Sequence, residues 1–230
     1  MSCESMLLGN FDSSCHLLLQ NYYNCDDSIR MPLLLSKKIN PFSCYAVWNI
    51  SETENQLEQL IHEDIPVMRP DKRSEWIVTR ILARYLSELF DKTYQGVAAL
   101  DSGKPYLIGQ SCEISITHSF PMAAVMINLR KACGIDLELH REKLILVQEK
   151  FLHEKEYQHK GDVSALCKIW SGKEAIFKTF GDKNLSFKEE LWIEFQTPFR
   201  ATGHMLKVGK EQKYELCYEQ LKEYQLCYNL

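Results

Sequence analysis

Asp136 and Glu138 stand two apart in Gly134-Ile135-Asp136-Leu137-Glu138. On a strand, residues two apart share a face, so the two carboxylates point out together while Ile135 and Leu137 enter a core. Adjacent carboxylates raise each other's pKa unless a cation lies between them. Oxygen-only ligands suit Mg²⁺, which keeps several waters and meets phosphates readily. The plainer alternative is an amphipathic edge strand with its charges in water. A third carboxylate and a lysine occur in Trp170-Ser171-Gly172-Lys173-Glu174-Ala175-Ile176-Phe177-Lys178. Glu174 and Lys178 are four apart and share a helix face, where an ordinary surface ion pair is worth at most ~0.5 kcal/mol. Trp170 and Phe177 flank that side, so the pair is expected to be partly buried, where charge is costly without a purpose. Three carboxylates and a cation are what metal-assisted phosphoryl transfer requires.

Ser102-Gly103-Lys104-Pro105 precedes a strand-like run but is not a phosphate-binding G-x-x-x-x-G-K-[ST] loop: Ala98 replaces the first glycine and Pro105 follows the lysine. Ser171-Gly172-Lys173 fails the same test. Ile114-Ser115-Ile116-Thr117-His118-Ser119 reads as a strand ending in polar residues. His118 there suits a phosphate, or a purely structural contact. Arg69, Lys72, Arg73 and Arg80 surround the start of a long helix and favour an anion, unless they are simply solvated charge.

These residues need elements to position them. Cys44 to Ile50 is strand-like, and Ser51-Glu52-Thr53-Glu54 is a capping box predicting a short helix to about Glu63. Pro70-Asp71 opens a longer helix whose buried face is Ile77, Ile81, Tyr85 and Leu89. Short strands follow at Val97 to Leu100, Tyr106 to Ile108, Glu113 to Thr117 and Ala123 to Leu129. A strand from Cys133 to Leu139 opens the second half. A helical region is predicted from about Glu142 to His159, then a helix from Val163 to Phe180, capped at Gly161-Asp162 and ended by Gly181. Strands are expected at Leu191 to Phe195, His204 to Val208, Lys213 to Glu219 and Tyr224 to Tyr228. Both halves thus run strand, short helix, long helix, several strands, which suggests an internally duplicated α+β fold. Residues 1–41 show no clean period and read as an N-terminal extension of unassigned role; residues 42–130 and 131–230 are the two halves.

With 230 residues, the chain allows one large domain or two small ones at roughly 100–200 residues each. Hydrophobic residues at 45% and charged residues at 25% exclude fibrous and wholly disordered classes. The net charge of −4 gives no basic excess for coating nucleic acid. Nine cysteines, an odd count without C-x-x-C, argue against a disulfide framework or zinc module and suggest buried thiols in a reducing compartment. Neither a signal peptide nor a run of ~20 apolar residues is evident, so a cytoplasmic protein without a membrane span is expected.

Taken in order, Gly103-Lys104-Pro105, Ile114 to Ser119, Gly134 to Glu138 and Trp170 to Lys178 resemble the 4′-phosphopantetheinyl transferases. That family's pattern is G-K-P, a strand ending S-H-S, G-[IV]-D-x-E, and W-x-x-K-E-[AS]-x-x-K. Thr117 replaces the usual serine but keeps the hydroxyl. Phe151-Leu152 and Glu156 look like the F…E segment between the last two motifs. The resemblance covers about residues 44–195. The chain length is similar to the larger, surfactin-synthetase-activating type, in which two like halves form a pseudodimer, and a monomer is expected.

The resemblance implies transfer of the 4′-phosphopantetheine arm of coenzyme A to a serine of an apo acyl or peptidyl carrier protein, releasing adenosine 3′,5′-bisphosphate. It assigns Mg²⁺, or Mn²⁺, to Asp136, Glu138 and Glu174. Glu174 would accept the serine proton, directly or through a bound water, and Lys178 would hold the pyrophosphate. Lys104, Pro105, Thr117, His118 and Asp136 would bind coenzyme A, with Arg73 and Arg80 as further phosphate contacts. Arg141, Lys143, Lys150, Lys155 and Lys160, interleaved with Leu144, Ile145 and Phe151, are a basic face for an acidic carrier. The alternative is a non-catalytic module of the same fold that binds coenzyme A or the carrier.

Overall fold

The computed structural model describes residues 33–230. These form one unit of mixed helix and sheet, an α+β arrangement with two antiparallel sheets. The first sheet holds β1 (Leu33–Asn40), β2 (Ser43–Asn49), β3 (Val97–Ala99), β4 (Pro105–Leu107), β5 (Glu113–Ser119) and β6 (Met122–Asn128) in the order β1-β2-β6-β5-β4-β3. The second holds β7 (Ile135–Leu139), β8 (Leu191–Thr197), β9 (Arg200–Lys207), β10 (Lys210–Leu221) and β11 (Tyr224–Asn229) in the order β7-β11-β10-β9-β8. With β1 set aside, the two orders match position for position: β2-β6-β5-β4-β3 against β7-β11-β10-β9-β8.

Between β2 and β3 lie α1 (Glu54–Glu58) and α2 (Pro70–Glu88). Between β7 and β8 lie α3 (Lys143–Val147) and α4 (Val163–Phe180), with two 3₁₀ turns between them. α2 begins on Pro70, whose missing N–H costs nothing at a helix start. It buries Ile77, Ile81 and Tyr85, three of the four positions its spacing predicts. α4 starts at Asp162, whose carboxylate accepts from the N–H groups of Ser164 and Ala165 at 2.9 and 3.1 Å. It stops at Gly181, which has a left-handed φ of 78° that an L side chain would strain.

Three local expectations are corrected. Residues 33–40, grouped by sequence with the extension, form β1 and pair antiparallel with β2; the rest of that segment, residues 1–32, lies outside the described residues. The short helix is capped by Thr53, not Ser51. The backbone N–H of Thr53 donates to Gln56 Oε1 at 2.9 Å, while Glu52 turns back to accept from Trp48 Nε1 at 3.4 Å. The helix predicted from Glu142 to His159 is broken, because Phe151 and Leu152 drop into the core at 1% and 0% exposure. A fresh turn then starts at His153, whose N–H donates to Glu156 Oε2 at 2.9 Å.

The two sheets meet across β5 and β7. Tyr45, Val47, Met122, Ala124 and Met126 of the first sheet pack with Ile135, Leu137, Cys217, Leu226 and Tyr228 of the second. A second core lies under α4, where Leu166, Ile169 and Ile176 meet Leu191, Met205 and Leu216. The six cysteines among the described residues are buried and unbridged, as small apolar side chains.

Candidate functional site

The site begins with a close approach. A Cβ on Gly134 would lie 1.9 Å from the carbonyl oxygen of Ala175 on α4, so only glycine lets the start of β7 run against that helix. The approach brings Lys178 onto β7: its Nζ donates to the Ile135 carbonyl at 3.0 Å and to Asp136 Oδ1 at 2.7 Å. The i,i+4 pairing of Lys178 with Glu174 that helix geometry allows is thus replaced by an ion pair with the strand. The ammonium offsets part of the charge on the adjacent carboxylates.

The second support comes from β5. Ile135 N–H donates to Ser115 Oγ at 3.0 Å and Leu137 N–H to Thr117 Oγ1 at 3.2 Å. These are outward N–H groups of an edge strand, satisfied by hydroxyls in place of a further strand. Thr117 Oγ1 also donates to Asp136 Oδ1 at 3.2 Å. The Thr117 hydroxyl, expected on coenzyme A, is engaged with β7, and Thr117 is buried.

The carboxylates are electrostatically linked. Burial, reinforced by Asp136, raises the Glu174 carboxyl to about 7. Glu138 is also raised, first by burial and then by Asp136, with Arg141 and Lys178 opposing. Asp136 Oδ2 is buried with no hydrogen-bond partner. Among the described residues, no three His, Cys, Asp or Glu side chains are gathered tightly enough to hold a metal as they stand. The donor set nonetheless suits a hard cation: all oxygens, one of them buried and unsatisfied, beside two carboxylates held above their ordinary range.

The Gly103-Lys104-Pro105 turn joins β3 to β4 and reaches the exit of α4. Lys104 Cδ lies 3.6 Å from where a Gly181 Cβ would sit, and Lys183 Nζ donates to the Asp101 carbonyl at 3.3 Å. Lys104 itself pairs with Glu113 at 2.6 Å. Gly103, Pro105, Ala98, Ile116 and Arg80 line a cleft of about 290 Å³. Arg80 is laid over the Trp76 ring at 4.2 Å, and its Nε is buried without a partner. Arg73 is not brought here: Glu54 and Glu58 on α1 bind its guanidinium at 2.7 and 2.5 Å, which makes it a brace between two helices. His118 points to α2, where its Nδ1 lies 3.2 Å from Glu75, which also takes Lys72 at 2.7 Å. Burial lowers the His118 pKa, Glu75 opposes, and Lys72 and Lys178 add to the lowering.

Of the expected docking face, Arg141, Lys143, Lys150, Lys155 and Lys160 are all exposed, while two of its apolar residues are buried. Leu144 and Phe151 belong to the core under α4. Lys160 is paired with Glu149 at 2.7 Å, and Lys155 lies over the Trp192 ring at 3.7 Å. Two further residues act at the site, Ser115 and Glu75. Ser115 was legible, since alternation along β5 puts it on the face of Thr117 and away from His118. Glu75 was not, because nothing distinguishes it in sequence from the other charges of α2.

Residues 132–229 match the family model of the 4′-phosphopantetheinyl transferase superfamily. The match spans β7 to β11 and α4, and includes Asp136, Glu138, Glu174 and Lys178 but none of the β3–β5 residues. No curated protein matches the chain. Among the described residues, no helix is long and apolar enough to cross a membrane.

Proposed function

We propose that this chain transfers the 4′-phosphopantetheine arm of coenzyme A to a serine of an apo carrier protein and releases adenosine 3′,5′-bisphosphate. One observation carries the reading: within the superfamily segment, Asp136 is clamped by Lys178 on one oxygen while its other oxygen is buried and unsatisfied. Asp136, Glu138 and Glu174 would hold Mg²⁺ or Mn²⁺. When bound, the ion supplies neutralising charge at the pyrophosphate. Glu174, whose carboxyl burial raises to about 7 in the metal-free chain, would take the proton of the attacking serine hydroxyl, directly or through a bound water, once the ion holds it ionised. The serine oxygen bonds to the β-phosphorus, and the bond from that phosphorus to the bridging oxygen breaks. The electron pair leaves with adenosine 3′,5′-bisphosphate. Lys178 would move from Asp136 to the charge growing on that leaving phosphate.

Arg80, Pro105 and Lys104 would receive the nucleotide end, with His118 beside them. The matching strand orders of the two sheets support a pseudodimer of like halves in a single chain. On this proposal the chain works as a monomer in the cytoplasm. The reading is tested by incubating the chain with coenzyme A, Mg²⁺ and apo acyl or peptidyl carrier proteins. Adenosine 3′,5′-bisphosphate should appear only with a carrier present, and peptide mapping should find the arm on one serine. A chain that binds coenzyme A but releases no nucleotide with any carrier would be a binding module instead.

A further inference from the structure

The Asp136 carboxylate is used asymmetrically. Both of its partners, Lys178 Nζ at 2.7 Å and Thr117 Oγ1 at 3.2 Å, converge on Oδ1. Nothing is bonded to Oδ2, although it is buried. A carboxylate held at one oxygen by donors from two different elements cannot turn without breaking one contact. The free oxygen is thereby aimed. Lys178 alone cannot do this, because a flexible four-carbon stem follows the carboxylate it pairs with. Thr117 can. Its Oγ1 also accepts the Leu137 N–H at 3.2 Å, so the hydroxyl is fixed as acceptor from the strand and donor to Asp136. Its β-branch further restricts χ1.

We infer that Thr117 is a positioning residue for the metal: from the neighbouring sheet it fixes Asp136 Oδ1 so that Oδ2 is left to the ion. The inference rests on the metal reading proposed above and gives Thr117 a task other than touching coenzyme A. Ser115 provides an internal control. It makes the same hydroxyl-to-backbone stitch, to the Ile135 N–H at 3.0 Å, and no hydrogen bond connects it to Asp136. Both hydroxyls tie the two sheets together; only one reaches the carboxylate.

The test is Mn²⁺ binding, followed by electron paramagnetic resonance on the full chain with and without coenzyme A, so no turnover is needed. Loss of a support behind a metal ligand typically costs about 10–100-fold in affinity. Thr117→Val, which keeps the shape and removes the hydroxyl, should weaken Mn²⁺ within that range. Thr117→Ser should stay within a few-fold of the wild type, and Ser115→Ala should match the wild type. Thermal unfolding of each variant controls for folding. Ser115→Ala weakening Mn²⁺ as much as Thr117→Val would make the effect one of the seam and overturn the inference. Thr117→Val binding Mn²⁺ like the wild type would overturn it alone. A wild-type chain that binds no Mn²⁺ under either condition would overturn the metal reading and the inference with it.

Discussion

Two lysines of α4, five residues apart, form ion pairs of opposite character. Lys173 is fully buried, as is its partner Glu156, at 2.6 Å. Its Nζ also donates to the carbonyls of Phe151 and Phe187 at 2.7 and 2.9 Å. Glu156 in turn accepts the N–H groups of His153 and Ile193. The pair is complete and ties α4 to β8 and the Phe151–His159 segment. Lys178 remains about a quarter exposed and leaves an oxygen of Asp136 unsatisfied. A buried pair with every partner in place holds structure; a pair that is open to solvent and incomplete has capacity left for a ligand. On the proposed function, one helix supplies both the frame and the chemistry.

That contrast can be broken or sharpened by substitution. The largest effect should come from Asp136→Ala or Glu174→Ala, which should lower single-turnover transfer by more than about 10³ while thermal unfolding stays near the wild type. Near-normal transfer by either would remove the three-carboxylate site. Lys173→Met should act in the opposite way. It strands Glu156 in the core and should cost about 3–5 kcal/mol in denaturant unfolding, with transfer falling only as the folded fraction falls. Lys178→Ala should lose about 10²–10³ in transfer rate with little change in unfolding, and Lys178→Arg should keep part of the activity. If Lys178→Ala proves the more destabilising of the two, the assignment of roles is reversed.

A smaller effect is expected from pH. The Glu174 carboxyl is raised to about 7, mainly by burial, from an ordinary 4.5. Between those values the folded chain holds a proton that the unfolded chain has released. This group therefore makes the metal-free chain lose stability as pH rises through that window. Denaturant unfolding with EDTA across pH 4–8 should show that slope, and Glu174→Gln should flatten it.

Much of this was legible in sequence. Gly134 to Glu138 and Trp170 to Lys178 are local patterns, so their strand and helix follow from periodicity and caps. The α2 stripe was legible for the same reason. What escaped depends on contacts distant in sequence. Helix geometry pairs Lys178 with Glu174; the close approach at Gly134 pairs it with Asp136 across 42 positions. Phe151 sits in a stretch with helical spacing, yet burial against Trp170 breaks the helix there, with ring centroids at 5.2 Å. Residues 33–40 carry Lys37 and Lys38 at exposed positions, which blurs alternation, and only pairing with β2 makes them a strand. Arg73 looked like an anion site because its partners Glu54 and Glu58 belong to another helix.

The central claim is that the Asp136–Lys178 end of α4 performs phosphopantetheine transfer. Its most direct test is intact-mass analysis of an apo carrier protein after a single turnover with this chain and coenzyme A. The account predicts a gain of one phosphopantetheine arm with the wild type and Mg²⁺, none with EDTA, and none with Asp136→Ala. A gain that persists in Asp136→Ala, or in EDTA, would contradict it.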